Sequence, residues 1–131
     1  DHGLSEFEIG WGKQFYVEYL YDHPGASAQE MVECIRVDKA TLTKAIKKLT
    51  EIGYVRMVRN EADRRVKQLY LTDKAIPAAR QIKKIHGKFY ETLCSGISPE
   101  EIRQTETILE KTMENLNQKV WHRMEEHHGE A

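Results

Sequence analysis

The sequence predicts a mainly α-helical chain with one small β-hairpin, an α+β class in which strands are the minor part. Apolar residues recur at helical spacing through most of the 131 residues. Two runs, residues 54–59 and 66–71, instead alternate apolar and polar side chains with a period of two. Capping signals and turn residues mark the boundaries between these segments.

Residues 1–12 hold Gly3, Gly10 and Gly12 around Phe7, Ile9 and Trp11 and read as a lead-in. From Lys13 to Asp22, Phe15, Tyr16, Tyr19 and Leu20 share a helical stripe, which His23-Pro24-Gly25 ends. Ser27-Ala28-Gln29-Glu30 is a capping box that opens a short helix with Met31, Val32 and Ile35 inward. Asp38 is placed to cap the next helix, which runs to about Thr50 with Gly53 as its stop. Tyr54 to Arg59 and Val66 to Leu71 are the alternating runs, so Asn60-Glu61-Ala62-Asp63-Arg64-Arg65 becomes a charged hairpin tip. Thr72 is expected to cap a long helix with Ile82, Ile85, Phe89 and Leu93 on one face, and Pro77 lies where it would kink it. Gly96 closes that helix. Ser98-Pro99-Glu100-Glu101 opens the last one, with Ile102, Leu109, Met113, Leu116, Val120 and Met124 on one stripe.

The length fits one compact chain, and burying roughly two-thirds of the unfolded surface needs no disulfide or metal. No apolar run is long enough to span a membrane, and the start lacks a basic-then-apolar signal region. Cys34 and Cys94 form no framework and read as free thiols, so a reducing cytoplasm is the expected location.

The formal net charge of −1 seems to exclude a polyanionic partner. Taken by segment it does not. Residues 1–35 carry one lysine against seven acids, and residues 91–131 carry four basic residues against nine acids. Between them, residues 36–67 hold ten basic residues against four acids, and residues 68–90 hold five against one. A basic middle between acidic ends points to nucleic acid contacted through the middle.

Helix, tight connection, helix and charged hairpin is the order of a winged helix-turn-helix. In the second helix of the pair, Leu42, Ala45, Ile46 and Leu49 cluster on one side at 100° per residue. Ala40, Thr43, Lys44 and Lys47 lie opposite, with Thr41 and Lys48 on the flanks. Hydroxyls reach base edges or phosphates and lysines supply counter-charge, so Lys39, Thr41, Thr43, Lys44 and Lys47 are the candidate DNA contacts on this helix. At the tip, Arg64 and Arg65 suit a narrow minor groove, and Asp63 can orient a guanidinium by a charge-assisted pair. The plainer alternative is a lysine-rich surface helix beside a solvated turn.

Segment 53–72, with Asp63 and Arg65 at the tip and Leu71-Thr72 at the exit, resembles the wing of the MarR (multiple antibiotic resistance regulator) family. Gly10-Trp11-Gly12-Lys13-Gln14-Phe15, Pro24-Gly25 and Val37-Asp38-Lys39-Ala40-Thr41-Leu42-Thr43 are similar to family stretches in the expected order. The resemblance spans about residues 10–120. It implies a dimeric transcriptional regulator, here read as a repressor released by a small effector, with Arg65 as the wing contact. Residues 10–72 would form the DNA-binding region, and residues 1–9 and 73–131 the dimerisation region. A symmetric dimer would meet half-sites about one DNA turn, ~34 Å, apart on a near-palindromic operator in double-stranded DNA. Family members carry a helix ahead of the stretch matching Gly10, and only nine residues precede it here, which points to a processed or shortened start.

The resemblance also implies a small aromatic or anionic effector, for which Trp11, Tyr16, Tyr19 and His86 are weak candidates beside their plainer role as core aromatics and an interface histidine. His122, His127 and His128 share no face at metal-ligand spacing, and no metal or other cofactor is expected. Hydrolase, zinc-protease, redox and P-loop motifs are missing, so no catalytic residue is assigned. A winged helix used for protein contact within the transcription machinery is the alternative, and it would expose apolar side chains on residues 39–52.

Overall fold

A computed structural model describes residues 7, 9, 10 and 12–116. The order is α1 (Gln14–Asp22), β1 (Ala26–Ser27), α2 (Ala28–Ile35), α3 (Lys39–Glu51), β2 (Val55–Arg59), β3 (Lys67–Leu71), a short 3-10 turn (Asp73–Ala75), α4 (Ile76–Leu93) and α5 (Pro99–Leu116). The expected mainly helical α+β winged architecture is therefore present. The chain packs as two units, Asp1–Phe89 and Tyr90–Ala131.

Local chemistry sets the boundaries. The Ser27 hydroxyl accepts from Glu30 N at 3.1 Å, and Ser27 N donates back to the Glu30 carboxylate at 3.3 Å, completing the capping box of α2. Arg36 ends α2 in the left-handed region at φ 59°, and only Val37 and Asp38 separate it from α3. Asp38 then caps α3 by accepting from Thr41 N at 2.8 Å. At the other end Gly53, at φ +81°, donates to Thr50 O and Tyr54 donates to Leu49 O, the paired bonds of a Schellman stop. That stop delivers the chain directly into β2.

The sheet has the order β1-β3-β2, antiparallel throughout. β2 and β3 form the expected hairpin, Val55 opposite Leu71 and Arg59 opposite Lys67. β1 was not expected: Ala26 and Ser27 pair with Leu69 and Gln68, and a two-residue strand carries no readable period. Gly25 just before it is required twice over, by its φ of +85° and by Tyr70, whose hydroxyl would stand 2.9 Å from a β-carbon.

Leu20, Met31, Leu42, Leu49, Leu69, Ile82 and Val17 are fully buried at the centre of the first unit. Ala75, Ala78 and Ala79 are buried as well, so this core extends beyond residue 72, where the sequence closes the winged region. Three expectations change. Thr72 makes no side-chain cap; its hydroxyl donates instead to Gly53 O at 2.5 Å and ties the base of the hairpin to the end of α3. Pro77 is the second residue of α4, where a missing N–H is tolerated, and it helps to start the helix. Phe15 leaves the stripe of its helix and is 52% exposed.

In the second unit, Ser98 and Glu101 form the expected capping box, with Glu101 N donating to the Ser98 hydroxyl at 3.1 Å and Ser98 N to the Glu101 carboxylate at 3.0 Å. These bonds hold the Glu101 carboxyl below the usual range, the backbone donor first. No residue of α5 is buried, and Ile108, Leu109, Met113 and Leu116 stand exposed on it. Val120 and Met124 of the expected stripe, like His122, His127 and His128, lie outside the described residues.

Leu69 faces the core from the strand that pairs on both sides. Truncating it to alanine is expected to cost about 2–5 kcal/mol of unfolding free energy, read by urea denaturation. A cost under about 1 kcal/mol would contradict its central place.

Candidate nucleic-acid interface

Burial of Leu42, Ala45, Ile46 and Leu49 fixes the rotation of α3 and leaves Lys39, Ala40, Thr41, Thr43, Lys44, Lys47 and Lys48 exposed. Every apolar residue larger than alanine on this helix is inward. The Thr41 hydroxyl donates to the Asp38 carboxylate at 2.6 Å, and the Thr43 hydroxyl to Lys39 O at 2.8 Å. With their protons committed, these hydroxyls offer acceptors and methyl groups, while the lysines supply the donors. The Asp38 carboxyl is held below its ordinary range, chiefly by the Thr41 hydroxyl and then by the Thr41 backbone N–H.

The hairpin tip is organised by two short acceptors. Asn60 Oδ1 accepts from Ala62 N at 2.8 Å and Asp63 N at 3.3 Å, closing the turn. Asp63 accepts from Arg65 Nε and Nη2 at 3.1 and 3.2 Å, and from Arg65 N at 3.1 Å. The Arg65 side chain remains 91% exposed inside this clasp. Such a pair adds little stability in water, but it restrains the guanidinium beside Asp63. Arg64 is exposed beside it and lines a cavity of about 420 Å³ with Arg59, Asn60 and Glu61. On the sheet below, the Arg56 guanidinium lies 4.6 Å from the centre of the Tyr70 ring.

The effector candidates do not converge. Tyr16 is buried and lines a cleft beside α3, whereas Tyr19 lines a separate groove of about 500 Å³ with Phe15, Glu18, Asp22, Ile35 and Val37. The Tyr19 phenol is pushed up to about 12, first by its hydrogen bond with the Cys34 side chain and then by burial. His86 stacks on Phe15 at 5.3 Å between ring centres, and its Nδ1 pairs with Glu18 Oε2. Beside it Lys83 Nζ meets Asp22 at 2.6 Å. Trp11 lies outside the described residues. Phe15, Glu18 and Asp22, which share α1 with Tyr19, were missed as groove residues because the facing wall, Ile35 and Val37, comes from outside that helix. Among the described residues no group of His, Cys, Asp or Glu could hold a metal ion, and no helix is long and apolar enough to cross a membrane.

A lysine- and threonine-faced helix beside an arginine-tipped hairpin defines a winged helix-turn-helix of the kind that reads DNA. The MarR family sequence pattern matches residues 14–67. The HTH-type transcriptional regulator BilQ of Clostridium symbiosum (strain WAL-14163) is 30% identical over 111 residues, which span 82% of this chain and 75% of that protein. A MarR transcriptional regulator from Methanosarcina mazei Go1 is 31% identical, with a TM-score of 0.69 over 87% of this chain and 82% of the other. Streptococcus pneumoniae FabT, solved in complex with DNA, is 25% identical with a TM-score of 0.66, covering 88% and 85%. The chain belongs to the MarR family of DNA-binding transcriptional regulators, which are not enzymes.

The Arg65 guanidinium holds the Asp63 carboxyl below its usual value, with the Arg65 backbone N–H adding to the effect. A lowered folded-state value means the clasp is intact above the ordinary carboxylate range and is lost as pH falls through the lowered one. In an NMR titration R65A should therefore raise the Asp63 midpoint towards its ordinary value. An unmoved midpoint would show that the clasp does not form in solution.

Proposed function

We propose that this protein is a homodimeric repressor that binds a near-palindromic operator through α3 and the hairpin tip. The observation that carries the reading is the exposed face of α3, where lysines, threonines and one alanine are displayed and every larger apolar side chain is buried. Lys39, Thr41, Thr43, Lys44 and Lys47 enter the major groove or meet its phosphates. Arg65, held by Asp63, and Arg64 reach the adjacent minor groove. The same face disfavours the protein-interaction alternative, which needs exposed apolar side chains there.

Dimerisation is supported by the second unit, where Leu93, Ile97, Ile108, Leu109, Met113 and Leu116 are exposed. Apolar surface on this scale marks an association face, and the same face of a second copy buries it symmetrically. Repression is released by a small ligand in the groove beside Phe15 and Tyr19, within the size range of ligand pockets. Glu18 and Asp22 on its wall favour an aromatic ligand over an anionic one at that place. The protein acts in the cytoplasm, where its promoter DNA lies.

Mobility-shift titration on the DNA upstream of its own gene tests the reading. R65A should weaken binding on the order of tenfold and flatten its salt dependence. Unchanged binding would remove the wing from the interface. Sedimentation at micromolar concentration should show a dimer; a monomer there would overturn the two-copy arrangement.

A further inference from the structure

We infer that an anion site lies in the cleft between the start of α1 and the flank of α3, and that it holds a phosphodiester of DNA bound to α3. The inference rests on the DNA-binding reading above and adds Lys13 and Lys48 to it. The cleft has a volume of about 450 Å³, and Lys13, Lys44 and Lys48 line it with Gly12, Tyr16 and Thr41.

Lys44 and Lys48 stand four residues apart on α3, a spacing that sets like charges side by side and destabilises the free helix. Lys13 reaches the same cleft from another element. Its ammonium lies against Gly10, where a β-carbon would stand 2.9 Å from Nζ. Among the described residues, none of the three lysines has an ion-pair partner and no carboxylate lines the cleft. The Thr41 hydroxyl proton is committed to Asp38, so the three ammonium groups are the donors.

Like charges gathered around one concavity repel, and an anion seated among them converts that repulsion into attraction. Lysines bind phosphate as point charges, without demanding the planar, two-pronged geometry of an arginine pair. The cleft is continuous through Thr41 and Lys44 with the exposed face of α3. A backbone phosphate flanking the groove occupied by α3 is thus the anion within its reach. A small free phosphate shares this chemistry and is separated from it by experiment.

The test uses the full chain with K13Q, K48Q and K13R, on both the upstream duplex and a mixed-sequence duplex. Each glutamine variant should reduce the slope of log binding constant against log salt by about 0.9, leave the preference between duplexes unchanged, and keep the wild-type circular dichroism. K13R should restore the slope. Inorganic pyrophosphate at matched ionic strength should not displace the duplex; saturable displacement that K13Q and K48Q abolish would reassign the cleft to a small anion. Wild-type slopes in both glutamine variants, with R65A still weakened, would overturn the site and leave the DNA-binding reading standing. Failure of the wild-type protein to bind either duplex would overturn both.

Discussion

The burial of one stripe of α3 is the constraint on which the rest of the molecule depends. Leu42 and Leu49 are fully enclosed and Ala45 and Ile46 lie beside them, so the helix has one acceptable rotation. Turning it over would bury lysine charges without partners, at a cost far above that of any single surface contact. The packing that stabilises the first unit is therefore also what selects the exposed face. Stability and recognition are two consequences of the same 3.6-residue period.

The ends of α3 carry that constraint outward. Asp38 satisfies the first turn and takes up the donors of Thr41, which fixes what that residue can offer to a base or phosphate. At the far end the bonds around Gly53 reverse the chain within two residues, and Thr72 fastens the returning strand to the same carbonyl region. The hairpin is thus anchored at its base to the helix beside which it acts. Its tip is exposed, yet Asn60 and Asp63 define the turn and the direction of Arg65. An arginine already aimed loses less conformational freedom on entering a groove than a free one.

Much of this was legible in the sequence, because caps and periods are local. Ser27 with Glu30, Asp38 before Thr41, Ser98 with Glu101, the stripe of α3 and the alternation of the hairpin all depend on residues within one or two turns of each other. What escaped was non-local. The pairing of Ala26 and Ser27 with β3 depends on a strand far along the chain, and Thr72 had a partner across the hairpin more favourable than the helix it precedes. Phe15 fell on the apolar stripe by spacing, but the structure sets it against His86 instead of in the core. The same limit applies to the site. The face of α3 could be drawn on a helical wheel, whereas the meeting of Lys13 with Lys44 and Lys48 needs the fold.

The net charge of −1 is reconciled with a DNA-binding protein by the same separation of elements. The cations concentrate on residues whose burial pattern forces them outward, where phosphate can replace water as their counter-charge. The second unit has the opposite composition. Along α5 the acids Glu100, Glu101, Glu106, Glu110 and Glu114 share a helix with Ile108, Leu109, Met113 and Leu116, which stand exposed. An amphipathic helix gains most of its stability by burying its apolar face, and a surplus of acids along it disfavours polyanions. The overall neutrality is thus the sum of a basic middle, suited to a polyanion, and acidic ends that are not.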